Sequence, residues 1–120
     1  NPEVVVVSNG YVYILEHDDT LRTGPIGIPG GGPHGNHGGP PTIADVDGDG
    51  EPEIGVAGAS QYVVYETNGA VKWSTAVSDY SSSVTGSSVF DFEGDGRAEV
   101  IYGDEYYLRI YRGVDGSELF

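Results

Sequence analysis

Short apolar runs alternate with Gly-, Asn- and Asp-rich breaks along the whole chain. Val4 to Val7 is apolar at every position, which predicts a strand buried between two layers. Tyr62-Val63-Val64-Tyr65 and the alternating Leu108-Arg109-Ile110-Tyr111 are strand patterns of the same kind. No stretch shows helical periodicity, and glycines and β-branched residues interrupt everywhere.

Three units emerge when Glu3, Glu53 and Glu99 are aligned. They read EVVVVSNGYVYILEHDDTLRT, EIGVAGASQYVVYETNGAVKW and EVIYGDEYYLRIYRGVDGSELF. Each predicts an apolar strand, a polar turn, a Tyr-rich strand, a second turn and a short strand. The turns carry Asn9-Gly10, Asn68-Gly69 and Asp115-Gly116, the strongest short hairpin signals. Thr42-Ile43-Ala44 and Ser88-Val89-Phe90 are candidates for a further strand before the second and third units.

Asp45–Gly58 (DVDGDGEPEIGVAG) and Asp91–Asp104 (DFEGDGRAEVIYGD) align without a gap at a step of 46 residues. Four strands in about 46 residues match one β-propeller blade. The expected fold is all-β, with two and a half to three consecutive blades of four antiparallel strands. Blade one is partial and spans 1–23, blade two 42–73 and blade three 87–120, joined by links 24–41 and 74–86. The first link, GPIGIPGGGPHGNHGGPP, reads as too Gly/Pro-rich for regular structure.

The chain has 120 residues, 20 Gly, 7 Pro, 9 Tyr and a net charge of −14. That charge argues against nucleic acid or an anionic membrane as partner, and suggests that bound cations are missing from the count. Two divalent ions would bring −14 to −10. There is no Cys, so disulfides and thiolate metal sites are excluded. No apolar run is long enough to span a membrane, and no signal peptide is visible. A chain that starts at Asn1 and lacks Met is expected to be a processed product or a piece of something longer.

The acidic loops carry the chemistry. A hard cation such as Ca²⁺ takes about six to eight oxygens, and Asp at positions 1, 3 and 5 of a tight loop turns three carboxylates inward. These positions are Asp45, Asp47 and Asp49 in one loop and Asp91, Glu93 and Asp95 in the other. Gly50 and Gly96 at position 6 permit the turn. Position 7, Glu51 or Arg97, would offer a backbone carbonyl and point its side chain away. An uncompensated cluster of carboxylates repels itself, which is the reason to infer an ion. An EF-hand needs a bidentate Glu at position 12, but Val56 and Tyr102 stand there. The acid falls at position 9 instead, as Glu53 and Glu99, at the start of a strand.

TIADVDGDGEPEIGVAG and SVFDFEGDGRAEVIYGD therefore resemble the FG-GAP and VCBS-type repeats of integrin α-like propellers and many secreted bacterial proteins. The resemblance, with the inferred strands, covers nearly the whole chain. It implies a calcium loop between the first and second strands of a blade. The implied ligands are Asp45, Asp47, Asp49 and Glu53, then Asp91, Glu93, Asp95 and Glu99, with Glu51 and Arg97 acting through their carbonyls. Glu93 departs from the usual Asp or Asn. Glu3 would be a position-9 ligand left without the rest of its loop.

Other residues add less. His34 and His37 lie three apart in the first link, with His17 elsewhere, and read as solvated loop residues, with a ligand-binding rim as the alternative. Trp73 and Phe120 align as closing aromatics of a blade and are expected in the core. Tyr62, Tyr65, Tyr106, Tyr107 and Tyr111 are expected on strands, most of them packed between blades. Ser81-Ser82-Ser83 has no neighbouring His and no nucleophile-elbow pattern, and no catalytic set is evident. The expected function is a secreted or cell-surface recognition, adhesion or scaffold module that binds calcium. Its expected partners are further blades of a parent chain or a second copy, and a protein or glycan ligand. The alternative is a non-catalytic or substrate-binding part of a secreted polysaccharide lyase or related carbohydrate-active enzyme.

Overall fold

The computed structural model describes residues 3–29, 37–80 and 84–120. His34 and Ser81 to Ser83 lie outside them. Ten strands form three antiparallel sheets, with no helix among the described residues. The first sheet runs β1 (Val4–Ser8), β2 (Tyr11–Leu15), β3 (Leu21–Gly27). The second is a four-stranded meander of β4 (Thr42–Ala44), β5 (Glu53–Ala57), β6 (Gln61–Tyr65) and β7 (Val71–Ala76). The third pairs β8 (Ser88–Phe90), β9 (Glu99–Gly103) and β10 (Leu108–Arg112).

The turns follow their residues. Asn9 (φ 52°) and Gly10 (φ 81°) adopt the two left-handed conformations that a tight β1–β2 hairpin needs. The β6–β7 turn places Gly69 at φ 90°, with its N–H donating to the Glu66 carbonyl at 3.0 Å. Asp19 (φ 67°) does the same in the β2–β3 turn, donating to Glu16 at 3.0 Å. Asp tolerates that conformation because its short polar side chain bonds locally.

β3 continues through Gly24 and Pro25 to Gly27, into the segment expected to be an irregular link. Pairing with β2 holds it, and the register shifts between Val12 and Ile14 absorb the misfit. β7 likewise runs past Trp73 to Ala76.

The second sheet is covered on both faces. Every residue of β5 is buried, as are four of the five in β6. Ile54, Val56, Val63 and Tyr65 pack with Val12, Ile14 and Ile28 of the first sheet's side. Ala57, Tyr62, Val64, Trp73 and Val77 pack on the opposite face with Val100, Tyr102 and Tyr111 of the third. This period-2 division supplies the core, each fully buried side chain contributing roughly 1.5–3 kcal/mol. An aromatic group anchors it, with ring centroids 5.2 Å apart for Tyr62–Tyr102 and 5.9 Å for Tyr62–Trp73. The Trp73 indole N–H donates to the Gly113 carbonyl at 2.6 Å.

Several sequence expectations are corrected. β1 is covered on one face only. Val4 and Val6 are exposed, because the second sheet lies against the other side, where Val5 and Val7 point. Phe120 is 76% exposed, unlike Trp73, although its backbone pairs with Ile110 of β10. Tyr106 and Tyr107 sit in the turn before β10 and are exposed. Asp104 holds that turn by accepting both their N–H groups at 2.9 Å.

Candidate metal centres

The two acidic loops connect β4 to β5 and β8 to β9, and they share one internal scaffold. In the first, Asp45 Oδ1 accepts the Gly48 N–H at 2.7 Å and Asp49 N–H at 3.2 Å, and Oδ2 accepts Gly50 N–H at 2.9 Å. In the second, Asp91 accepts the N–H groups of Gly94, Asp95 and Gly96 at 2.7, 3.2 and 2.9 Å. This wrapping requires left-handed backbone at two glycines per loop, Gly48 and Gly50, then Gly94 and Gly96. Sequence reasoning gave a reason for position 6 but not for position 4, although Asp-Gly-Asp-Gly in the first loop and Glu-Gly-Asp-Gly in the second spell both.

At the base of each loop the position-9 carboxylate reaches back. Glu53 Oε2 accepts the Val46 N–H at 2.8 Å, and Glu99 Oε2 accepts the Phe92 N–H at 2.7 Å. Both glutamates are buried, at 1% and 3% exposure, and both begin a strand in the core. The loops also touch each other. Ala98 N–H donates to the Asp45 carbonyl at 3.4 Å, and Arg97 lies across Gly48. The Arg97 side chain is thus directed to the preceding loop.

Carboxylate oxygens of Asp45, Asp47 and Asp49 come within 4.8 Å of one another, as do those of Asp91, Asp95 and Glu99. Glu93 stands apart from its group and faces Arg112, whose Nε is 3.9 Å from Glu93 Oε1. Glu3 is not left alone. It accepts a hydrogen bond from Arg22 at 2.6 Å.

The electrostatics are uneven. Burial pushes the Glu53 carboxyl up, the charges of Asp47, Glu66 and Asp49 add to this, and the Val46 hydrogen bond opposes it. Asp47 is held down, first by its hydrogen bond from Lys72. Asp91 is held down chiefly by the Gly96 N–H, with Asp95 and Gly94 assisting. Lys72 is a neighbour of the first loop that sequence reasoning missed. It comes from β7, 25 residues beyond Asp47, and only the strand pairing brings it there.

One atom tests whether a hard cation fits. Glu53 Oε1 is buried without a hydrogen-bond partner, and three aspartate carboxylates lie in the adjacent loop. An unpaired buried carboxylate oxygen is costly, and a cation ligated by oxygen would satisfy it. A bound divalent ion would supply charge neutralisation and would cross-link the loop to the strand base.

Residues 45–102, which hold both loops, match the family model described as FG-GAP-like repeat. Over these residues the chain is similar to an FG-GAP-like repeat. Among solved structures, this chain is similar to part of the V. cholerae biofilm matrix protein Bap1. Identity is 35% and the TM-score 0.57, over 57% of this chain and 11% of that one. The chain thus spans about a tenth of the length of that protein. No curated protein sequence matches it significantly.

Proposed function

We propose that this chain is a run of calcium-binding β-propeller blades serving as an extracellular adhesion or scaffold module. The buried, unpartnered Glu53 Oε1 is the observation that carries the calcium reading: Glu53 stands outside the close group of Asp45, Asp47 and Asp49, but feels the charges of Asp47 and Asp49. The ligands would be Asp45, Asp47, Asp49 and Glu53 in the first loop, with the Glu51 carbonyl. Asp91, Asp95 and Glu99 would serve in the second, with the Arg97 carbonyl, and Glu93 would join by turning from Arg112.

The blade reading is supported by the four-stranded meander and by sheets that share apolar faces in series. The segments 1–23, 42–73 and 87–120 would be the blades, with β3 and β7 extending into the links 24–41 and 74–86. Further blades, from a parent chain or a second copy, would cover Val4 and Val6 on one side and Leu108 on the other, all exposed. The extracellular and adhesive part of the reading is supported by the FG-GAP-like repeat and by the likeness to a biofilm matrix protein. Calcium at extracellular levels would then stiffen the loops that hold adjacent sheets together.

The test has two arms. Chelation lowers the melting temperature of the wild type, and Asp47→Ala with Asp95→Ala abolishes that response. The protein cosediments with extracted extracellular matrix in calcium and is released by chelator. A chelator-insensitive melting temperature would defeat the calcium reading, and absence of matrix retention would defeat the adhesion reading.

A further inference from the structure

Lys72, the chain's single lysine, sits at the first acidic loop and is 15% exposed. Its ammonium donates to Asp47 Oδ2 at 2.6 Å and to Glu66 Oε1 at 3.1 Å. The other Asp47 oxygen, Oδ1, accepts the Asp49 N–H at 3.0 Å. Both oxygens of this position-3 carboxylate are therefore engaged, one of them by a full positive charge.

The second loop is built differently. The N–H of Glu66 bonds the Ala70 carbonyl as that of Arg112 bonds the Ser117 carbonyl, so Lys72 corresponds to Leu119. Glu93 meets instead the Arg112 Nε, at 3.9 Å, and both side chains are 49% exposed. Such an exposed pair is weak and easily exchanged for solvent.

We propose that Lys72 is a resident counter-cation of the first loop, competing for Asp47 and making this loop the weaker of the two calcium sites. The inference rests on the cation reading of the loops. A divalent ion that recruits Asp47 has to displace the ammonium from Oδ2 or share the carboxylate with it, at a Coulombic cost in either case. Glu66 gives the displaced ammonium a second partner, so Lys72 can move without becoming an unpaired charge. In the absence of calcium, the same ammonium relieves repulsion among Asp45, Asp47 and Asp49. Loop one would thus exchange between a lysine-neutralised and a calcium-neutralised form, whereas loop two has only the exposed Arg112 pair as a substitute.

Calorimetric titration of the intact protein with CaCl₂ tests this, in a background carrying Asp95→Ala so that the first loop alone reports. Lys72→Met is expected to tighten binding roughly tenfold, the scale of one charged hydrogen bond. Glu66→Gln is expected to weaken it severalfold, because the ammonium loses its alternative partner. Both shifts are expected to persist at high salt, where a merely long-range charge effect would be screened. Arg112→Met, read in an Asp47→Ala background, is expected to leave the second loop within about twofold, since exposed pairs contribute little. Unchanged or weaker first-loop binding in Lys72→Met overturns the inference while leaving the cation reading standing. Absence of binding heat in every variant overturns both. If Lys72→Met does not fold, Lys72→Gln and Glu66→Gln decide by the same signs.

Discussion

Replacing Glu53 by Gln should stabilise the calcium-free protein and weaken its calcium response. Glu53 is 1% exposed, its Oε2 is satisfied by the Val46 N–H at 2.8 Å, and its Oε1 has no partner. Gln keeps the shape and the acceptor for Val46. It replaces the orphaned oxygen with an amide that donates toward the neighbouring carboxylates. Relief of one buried unsatisfied charged group is worth about 1–3 kcal/mol. For a chain of this size that raises the melting temperature in chelator by about 4–12 °C. In calcium that advantage is cancelled or reversed. A ligand at 100 times its Kd stabilises by about 2.7 kcal/mol per site, and the variant forfeits the first loop's share.

The pH dependence adds a second signature. Burial raises the Glu53 carboxyl above its ordinary 4.5, so the folded state binds a proton more readily than the unfolded state. Its stabilising contribution is present below pH 4.5 and is lost as pH rises through the folded value. Chelated wild type should therefore lose stability over that interval, and Glu53→Gln should not. Differential scanning calorimetry of both proteins, with calcium and with chelator, measures all of this. A Glu53→Gln protein that is less stable in chelator, or that keeps the full calcium response, would refute the reasoning.

Gly113→Ala should cost about 2–3 kcal/mol by overpacking, because its methyl would strike the Ala98 carbonyl and Val46 where the first loop meets the third sheet. Urea unfolding measures it, and a shift under about 0.5 kcal/mol, the usual range of a neutral surface change, would contradict this packing. Gly116→Ala should be destabilising by about 1–3 kcal/mol, since φ is +74° and the methyl would meet the Trp73 ring. A loss of near-ultraviolet Trp dichroism should accompany it. Asp104 accepts from the N–H groups of Ser78, Tyr106 and Tyr107 and from Arg109, with its side chain 2% exposed. Burial would raise its carboxyl, but these donors prevail and hold it below 3.8. Its contribution is therefore kept above pH 3.8 and lost as pH falls through the folded value. Asp104→Ala should remove about 2–4 kcal/mol at pH 7 and flatten the acid limb, as read by thermal melts between pH 2 and 7.

The fold was legible where local chemistry and repetition agree. Asn9-Gly10 and Asn68-Gly69 turn the chain where they stand, and Glu53 and Glu99 open strands after loops of one pattern. What escaped the sequence depends on what lies across a sheet. The Val4 to Val7 run could not reveal that one face alone is covered. Gly24-Pro25 could not reveal that pairing with β2 would carry β3 through it. Tyr106 and Tyr107 look like strand residues until Asp104 is seen to hold their N–H groups in a turn. The two close carboxylate groups were readable from Asp and Gly spacing, but Lys72 on Asp47 and Arg97 over Gly48 arise between elements distant in sequence.

The central claim is that each acidic loop holds one calcium ion. Native mass spectrometry of the intact protein in calcium, with magnesium as control, counts them directly. These 120 residues should contribute two bound calcium ions, one for each carboxylate group, with one lost on Asp45→Ala and the other on Asp91→Ala. A count that neither substitution changes, or no bound calcium at millimolar concentration, would contradict the account.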